Sequence, residues 1–237
     1  MNAALVISRR EIRSYFNSPV AYIVVAAFTI IAGGLFFFTR LFLAQEASMR
    51  SFFDTMPLLF MFLAPALTMR LLADEKSSGT LELLITMPVR DWQVVLGKFL
   101  AAMGLLVVTL LLTLVFAITV RALGPLDRGP TIGGYLGLLL MGGAYISIGT
   151  MASALTKNSI VAFIVAFAIS FALFIVGQLT QLFPSAVQPL AAFLGMGNHF
   201  ENISRGVIDT RDLFYYASIM GVSLLVATLS LESRRWR

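Results

Sequence analysis

Six apolar runs, most close to twenty residues long, occupy this chain at roughly 20–38, 54–72, 97–120, 132–155, 160–182 and 213–231, with short polar stretches between them. A helix rising 1.5 Å per residue needs about 20 such residues to cross about 30 Å of hydrocarbon. Barrel strands would be half as long and would alternate. The pattern therefore predicts an all-α membrane protein, a six-transmembrane-helix bundle forming a single domain over residues 1–237. Only Thr156, Lys157, Asn158 and Ser159 part the fourth and fifth runs, yet residues 132–182 are too many for one crossing.

The polar stretches are patterned too. Residues 3–17 mix Leu5, Ile12, Tyr15 and Phe16 with Arg9, Arg10, Glu11 and Arg13, and end at Asn17-Ser18-Pro19. This reads as an N-terminal amphipathic helix lying in the cytoplasmic interface, its basic face toward headgroups; a simple topogenic charge cluster is the alternative. Pro19 then restarts the chain as a span, since its missing N–H is harmless in a first turn. No small-x-small cleavage site follows, so the segment is expected to be retained. In residues 73–96, Gly79 breaks the chain, Thr80 can cap the next turn and Pro88 stops it, which predicts a two-turn helix over Thr80–Met87. Its Leu81, Leu83, Leu84 and Ile85 exceed what an idle loop needs. Either the helix offers a surface to a soluble partner or it packs on its own bundle.

On the opposite side, residues 121–131 form a short Gly/Pro-containing loop. Residues 183–212 include Val187–Met196, apolar but too short to cross, and predict re-entrant or interfacial helices capping that mouth of the bundle. Gly133 and Gly137 make a GxxxG step, extended by Gly143 and Ser147, which is expected to serve helix packing rather than a pore.

Composition sharpens this picture. The chain is 59% hydrophobic and 12% charged, half the charged share of an ordinary soluble domain. Its net charge is +5, and position matters more than the sum. Eleven Lys and Arg lie on one side of the spans, from Arg9 to Lys157 and the terminal arginines; six lie on the other, Arg40, Arg50, Arg121, Arg128, Arg205 and Arg211. The excess places both termini in the cytoplasm.

Much chemistry is missing. Cysteine is absent and His199 is the single histidine, which leaves no disulfide framework and no His cluster for a metal. His199 reads as a hydrogen-bonded loop residue, with a pH or ligand sensor as the other reading. Gly97-Lys98 is followed by Phe99 and lacks the upstream glycine of a phosphate-cradling loop. No carboxylate sits mid-span, although ion-coupled carriers generally keep one there at a cost of about 2.5–3.5 kcal/mol. A channel or carrier acting alone is thereby disfavoured, and no catalytic, cofactor-binding or metal residue is expected. Thr109, Thr113, Thr119, Ser147, Thr150, Ser170 and Gln178 are the main polar groups of the spans, so a path lined by them would suit amphipathic or lipid-like cargo.

The segment E-K-S-S-G-T-L-E-L-L-I-T-M-P-V, Glu75 to Val89, followed by Gly97-Lys98, resembles the permeases of the ABC-2 (type V) class of ATP-binding cassette transporters. N-H-F-E-N-I-S-R-G-V-I-D-T-R-D, Asn198 to Asp212, and the terminal L-E-S-R-R-W are similar to the gliding-motility-associated subgroup. The resemblance implies a permease subunit of a bacterial inner (cytoplasmic) membrane exporter, driven by a separate cytosolic ABC ATPase subunit that holds the ATP and Mg²⁺. By the same resemblance Thr80–Met87 is a coupling helix, and the coupling residues are Glu75, Lys76, Gly79, Thr80, Leu81, Glu82, Leu84 and Pro88 with Arg9, Arg10 and Arg13. Thr156, Lys157 and Asn158 form a second, smaller contact. Further implied partners are a second permease copy or homologous permease and membrane lipid, with no nucleic acid. Unlike larger members of the class, the chain has no big external domain between its first and second spans. A non-transporting membrane anchor or mechanotransmitter coupled to an ATPase is the competing reading.

Overall fold

A computed structural model of the chain describes residues 3–38, 48–80 and 89–235. All regular structure among the described residues is helical: α1 (Ala3–Asn17), α2 (Pro19–Leu35), α3 (Met49–Thr68), α4 (Ala73–Ser77), α5 (Asp91–Leu123), α6 (Arg128–Leu155), α7 (Ser159–Gln178), α8 (Gln188–Leu194), α9 (Met196–Ser204) and α10 (Thr210–Arg235). Among the described residues six stretches are long and apolar enough to cross a membrane: Ala21–Phe38, Met49–Ser77, Asp91–Leu123, Arg128–Leu155, Ser159–Gln178 and Thr210–Ser233. The all-α six-helix membrane bundle is thus the fold, and an even number of crossings puts α1 and the end of α10 at the same end of the bundle.

Helix α6 is the axis on which α3, α5, α7, α9 and α10 all pack. Its small residues make this possible, because bundles in lipid gain more from close packing than from exclusion of water. A Cβ at Gly142 would lie 2.6 Å from Leu106, and one at Gly137 would lie 3.0 Å from Phe200. Gly134 and Gly149 likewise face Phe53 and Thr68 with no room for a side chain. The small-residue face therefore serves packing within the chain. Beside it Phe36, Phe52, Phe53, Phe116 and Tyr135 form an aromatic cluster with ring centroids 5.5–6.4 Å apart. Such pairs contribute about 0.5–1.5 kcal/mol each beyond their buried area.

The third span departs from the sequence expectation. Helix α5 starts at Asp91 rather than near 97, its first turn closed by Gln93, whose Oε1 accepts the Arg90 N–H at 3.1 Å. Its 33 residues make a rod of about 50 Å, against about 30 Å of hydrocarbon. Helix α1 runs in the same direction alongside its early turns: Ala4 and Ile7 face Gly97, and Ile12 faces Gly104. A Cβ at Gly97 would come within 2.8 Å of the Ala4 carbonyl oxygen. Helix α1 thus buries one face on α5, which the sequence did not announce, leaving Arg9, Arg10 and Arg13 exposed with Leu5 and Val6.

The polar groups of the spans have structural work. Thr109, Thr113, Ser147 and Thr150 are fully buried inside the bundle and donate to carbonyls of their own helices, at 2.7–2.8 Å. They line no path within this single chain. The exposed sides of α2 and α7 carry Ile23, Ile30, Ile31, Ile160, Ile164 and Phe171 instead.

Where α3 gives way to α4, the break is held from outside. Ser153 of α6 accepts from the Leu72 and Ala73 N–H groups at 3.0 Å each and donates to the Met69 carbonyl at 3.0 Å. One buried hydroxyl thereby serves three backbone groups that a helix end leaves unpaired. Ser153→Ala removes it without changing the packing volume much. The expected cost is about 1–3 kcal/mol, the desolvation of the stranded groups, read as a lower thermal midpoint and faster amide exchange at Leu72 and Ala73.

Candidate functional site

At the end of the bundle that carries α1, one cation gathers three elements. Lys98, in the second turn of α5, is 2% exposed, and its Nζ lies 2.7 Å from Glu75 Oε1 on α4 and 3.3 Å from Glu11 Oε1 on α1. The two carboxylates are 19% and 15% exposed. An ammonium buried this far is stable only if paired. Two carboxylates against one ammonium leave an excess negative charge, which Arg10 offsets 3.6 Å from Glu11. Arg70, Tyr15, Glu11, Glu75 and Lys98 share the wall of a cavity of about 180 Å³. Burial, then the Glu11 carboxylate, push the Tyr15 hydroxyl above its ordinary pKa.

This cluster forms the neck of a loop. Glu75 and Lys98 are 23 positions apart, and their pairing closes the segment between α4 and α5 at its base, while Ser153 fixes the other side of α4. Beyond the neck, Ser78 Oγ bonds the Asp74 carbonyl at 2.8 Å and Gly79 turns the chain with φ of +73°, a left-handed conformation that glycine adopts without a Cβ penalty. The described residues that flank positions 81–88 are thereby tied to α1 and α5 through Lys98.

The expected coupling residues fall into three groups. Glu75 is half-buried, with its carboxylate on Lys98, and Lys76 is buried at 7% exposure. Gly79 and Thr80 sit exposed on the turn, with Thr80 Oγ1 2.9 Å from Ser78 Oγ. The helix expected over Thr80–Met87, with Leu81, Glu82, Leu84 and Pro88, falls largely outside the described residues. Arg9, Arg10 and Arg13 form an exposed basic face on α1 near the neck. Thr156, Lys157 and Asn158 make the tight turn between α6 and α7 at the same end: Asn158 Oδ1 caps α7 by accepting from the Ile160 N–H at 2.9 Å, and Lys157 is exposed. The structure thus brings the basic face of α1, the loop seat and this turn to one end of the bundle.

The opposite end is built as a clasp. The expected capping segments are α8 and α9, with α9 packed on α6, α7 and α10. His199 lies in α9, not in a loop, and its Nδ1 is 2.6 Å from Asp212 Oδ1 while its Nε2 is 2.8 Å from the Phe193 carbonyl oxygen. Its ring stacks on Tyr215 at 3.9 Å. Tyr215 and Tyr216 donate to the Leu194 and Met196 carbonyls at 2.6 and 2.9 Å. The hydrogen-bonded reading of His199 is the one the geometry carries; it ties α8, α9 and α10 together.

Sequence reasoning missed Lys98 and Ser153. Lys98 had a usable signal: a lysine just inside an apolar run needs a carboxylate nearby, and Glu11 is the sole acid in residues 1–44. Ser153 had none, being one small residue among many in α6. Among the described residues, no group of three His, Asp or Glu side chains could hold a metal ion.

Residues 38–229 match the family model described as ABC-2 family transporter protein. The match includes Glu75, Lys98 and the clasp; α1, which carries Glu11, and α2 precede it. No curated protein matches the chain.

Proposed function

Because the chain belongs to the ABC-2 family of transporter proteins, we propose that it is the permease subunit of an ATP-binding cassette transporter, powered by a separate cytosolic ATPase subunit. The observation that carries this reading is the Lys98 cluster, which seats the loop after α4 on α1 and α5. A loop so mounted suits transmission of force from a partner. The outward contacts are Gly79 to Pro88 beyond the neck, Arg9, Arg10 and Arg13 on α1, and the turn Thr156–Asn158. Glu75 acts as a positioning residue, holding the seat instead of touching the partner.

In this reading ATP and Mg²⁺ bind the partner, and closure of two ATPase subunits pushes the seats of two permease chains, identical or homologous, toward one another. The spans tilt and open a path between the chains. The exposed apolar sides of α2 and α7 suit an amphipathic or lipid-like cargo, and we read the direction as export. The positive excess at the α1 end supports cytoplasmic termini in a bacterial inner membrane. The segments Asn198–Asp212 and Leu231–Trp236 support the gliding-motility-associated subgroup.

The test is purification of the tagged chain from its native membrane. An ATP-hydrolysing subunit is expected in stoichiometric amount; a stable chain that carries ATP-independent flux without it would overturn the proposal. In liposomes, ATP turnover by the complex without movement of any lipid-like cargo would favour the anchor or mechanotransmitter. Gly79→Pro, which cannot adopt a positive φ, is expected to cut partner-stimulated ATP turnover at least several-fold while leaving the bundle folded, as measured on the reconstituted complex.

A further inference from the structure

A trough runs down the side of the bundle between α6, α7 and α10. It has a volume of about 590 Å³ and walls that include Ile148, Ile169, Leu173, Ile219 and Val222. Phe214 and Val222 stand on its rim, 73% and 63% exposed, so the trough opens sideways, toward whatever surrounds the spans. Arg211 lies at its end near the clasp and Ser223 lies deeper. The twelve-residue step between them on α10 corresponds to about 18 Å, close to the roughly 15 Å of hydrocarbon in one leaflet. The trough thus has about the length of one acyl chain, with Arg211 at the end of the span where a headgroup would sit.

Its polarity has one strong feature. Of the carboxylates beside Arg211, Asp209 accepts the Arg211 backbone N–H on Oδ1 at 2.9 Å, and Asp212 is turned inward to His199. Among the described residues no carboxylate lies within ion-pair distance of the Arg211 guanidinium. Arg205, in the same outer segment, pairs with Glu201. Arg211 is therefore an exposed cation whose guanidinium has no ion-pair partner among the described residues, above an apolar trough. Ser218 does not compete for it, since its hydroxyl bonds back to the Phe214 carbonyl. A planar guanidinium with free donors matches a phosphate by paired hydrogen bonds. Apolar chain and anionic head are wanted in one molecule.

We propose that this trough seats one phospholipid of the leaflet at the clasp end, its phosphate on Arg211 and one acyl chain lying along α10 toward Ser223. The lipid is a resident one: it would fill the gap between α7 and α10 and brace the clasp through Phe193, which also lines the trough. The inference does not depend on an ATPase partner or on the cargo.

Native mass spectrometry of the full chain in mild detergent, titrated with phosphatidylglycerol, tests it. Wild type is expected to retain one lipid through delipidation. Arg211→Gln removes the charge and Ser218→Trp fills the trough; each is expected to lower retention at least ten-fold. Arg121→Gln, an arginine elsewhere at the same end, should leave it unchanged. Arg211 and Ser218 are both exposed, so the fold should survive, and the lipid-free thermal midpoint checks this. Retention at the wild-type level by either Arg211→Gln or Ser218→Trp overturns the proposal. So does efficient copy-to-copy disulfide formation by Phe214→Cys in native membranes, which would put a second chain in the trough.

Discussion

Lys98→Ala is expected to lower stability by about 3–5 kcal/mol, the usual cost of breaking a buried ion pair by removing one partner, and to abolish stimulation of ATP turnover in the reconstituted complex. The substitution strands two carboxylates, Glu75 and Glu11, in a site only 15–19% exposed. They repel, and α4 and α1 are the elements free to part. Glu75→Gln should be milder, because Lys98 keeps Glu11 as a partner. Replacing all three charges together, Lys98→Met with Glu75→Gln and Glu11→Gln, should restore most of the lost stability, since a buried pair exchanged for neutral groups of similar volume is often close to neutral. Thermal unfolding in detergent reads the order: Lys98→Ala lowest, Glu75→Gln intermediate, the triple variant near wild type. A Lys98→Ala protein as stable as wild type would show that the cluster does not hold the seat.

His199→Ala carries the second large effect, at the other end. It leaves the Asp212 carboxylate, 3% exposed, without its hydrogen-bonding partner, frees the Phe193 carbonyl and removes the ring stacked on Tyr215. The expected loss is again about 3–5 kcal/mol. Adding Asp212→Asn removes the stranded charge and should recover a substantial part of it. Hydrogen exchange is the local readout: α8 and α9 lose protection in His199→Ala while α5 and α6 keep theirs. Uniform loss along the chain would mean that the clasp is no separate unit.

The parts of this fold that were legible in the sequence are those that lipid dictates. Run length alone locates six spans, since a helix with unpaired backbone groups cannot end inside hydrocarbon. Val187–Met196, too short to cross, correctly announces α8 and the start of α9. The glycines of α6 announce close packing, because nothing else explains so many small residues on a central helix. The errors arise where charge is hidden. The start of α5 was placed six residues late because Asp91 and Gln93 read as loop, whereas they open a helix that outruns the bilayer. The pairing of Glu75 with Lys98 was not legible, because a five-residue helix carries too little periodicity to reveal which side is buried. Pairing of Lys98 with residues 23 and 87 positions away is a property of the assembled bundle. Ser153 is the same lesson in a neutral group: its value comes from the α3–α4 break it meets, which is 80 or more positions distant.

The central claim is that energy enters this chain at the end where α1, the loop beyond Gly79 and the α6–α7 turn meet. A photo-crosslinking residue placed in turn at Arg9, Glu82, Lys157 and, at the opposite end, Leu182 tests it in intact membranes. Adducts with an ATP-hydrolysing subunit are predicted from Arg9, Glu82 and Lys157, and none from Leu182. Adducts absent from all three, or formed from Leu182 alone, would contradict the claim.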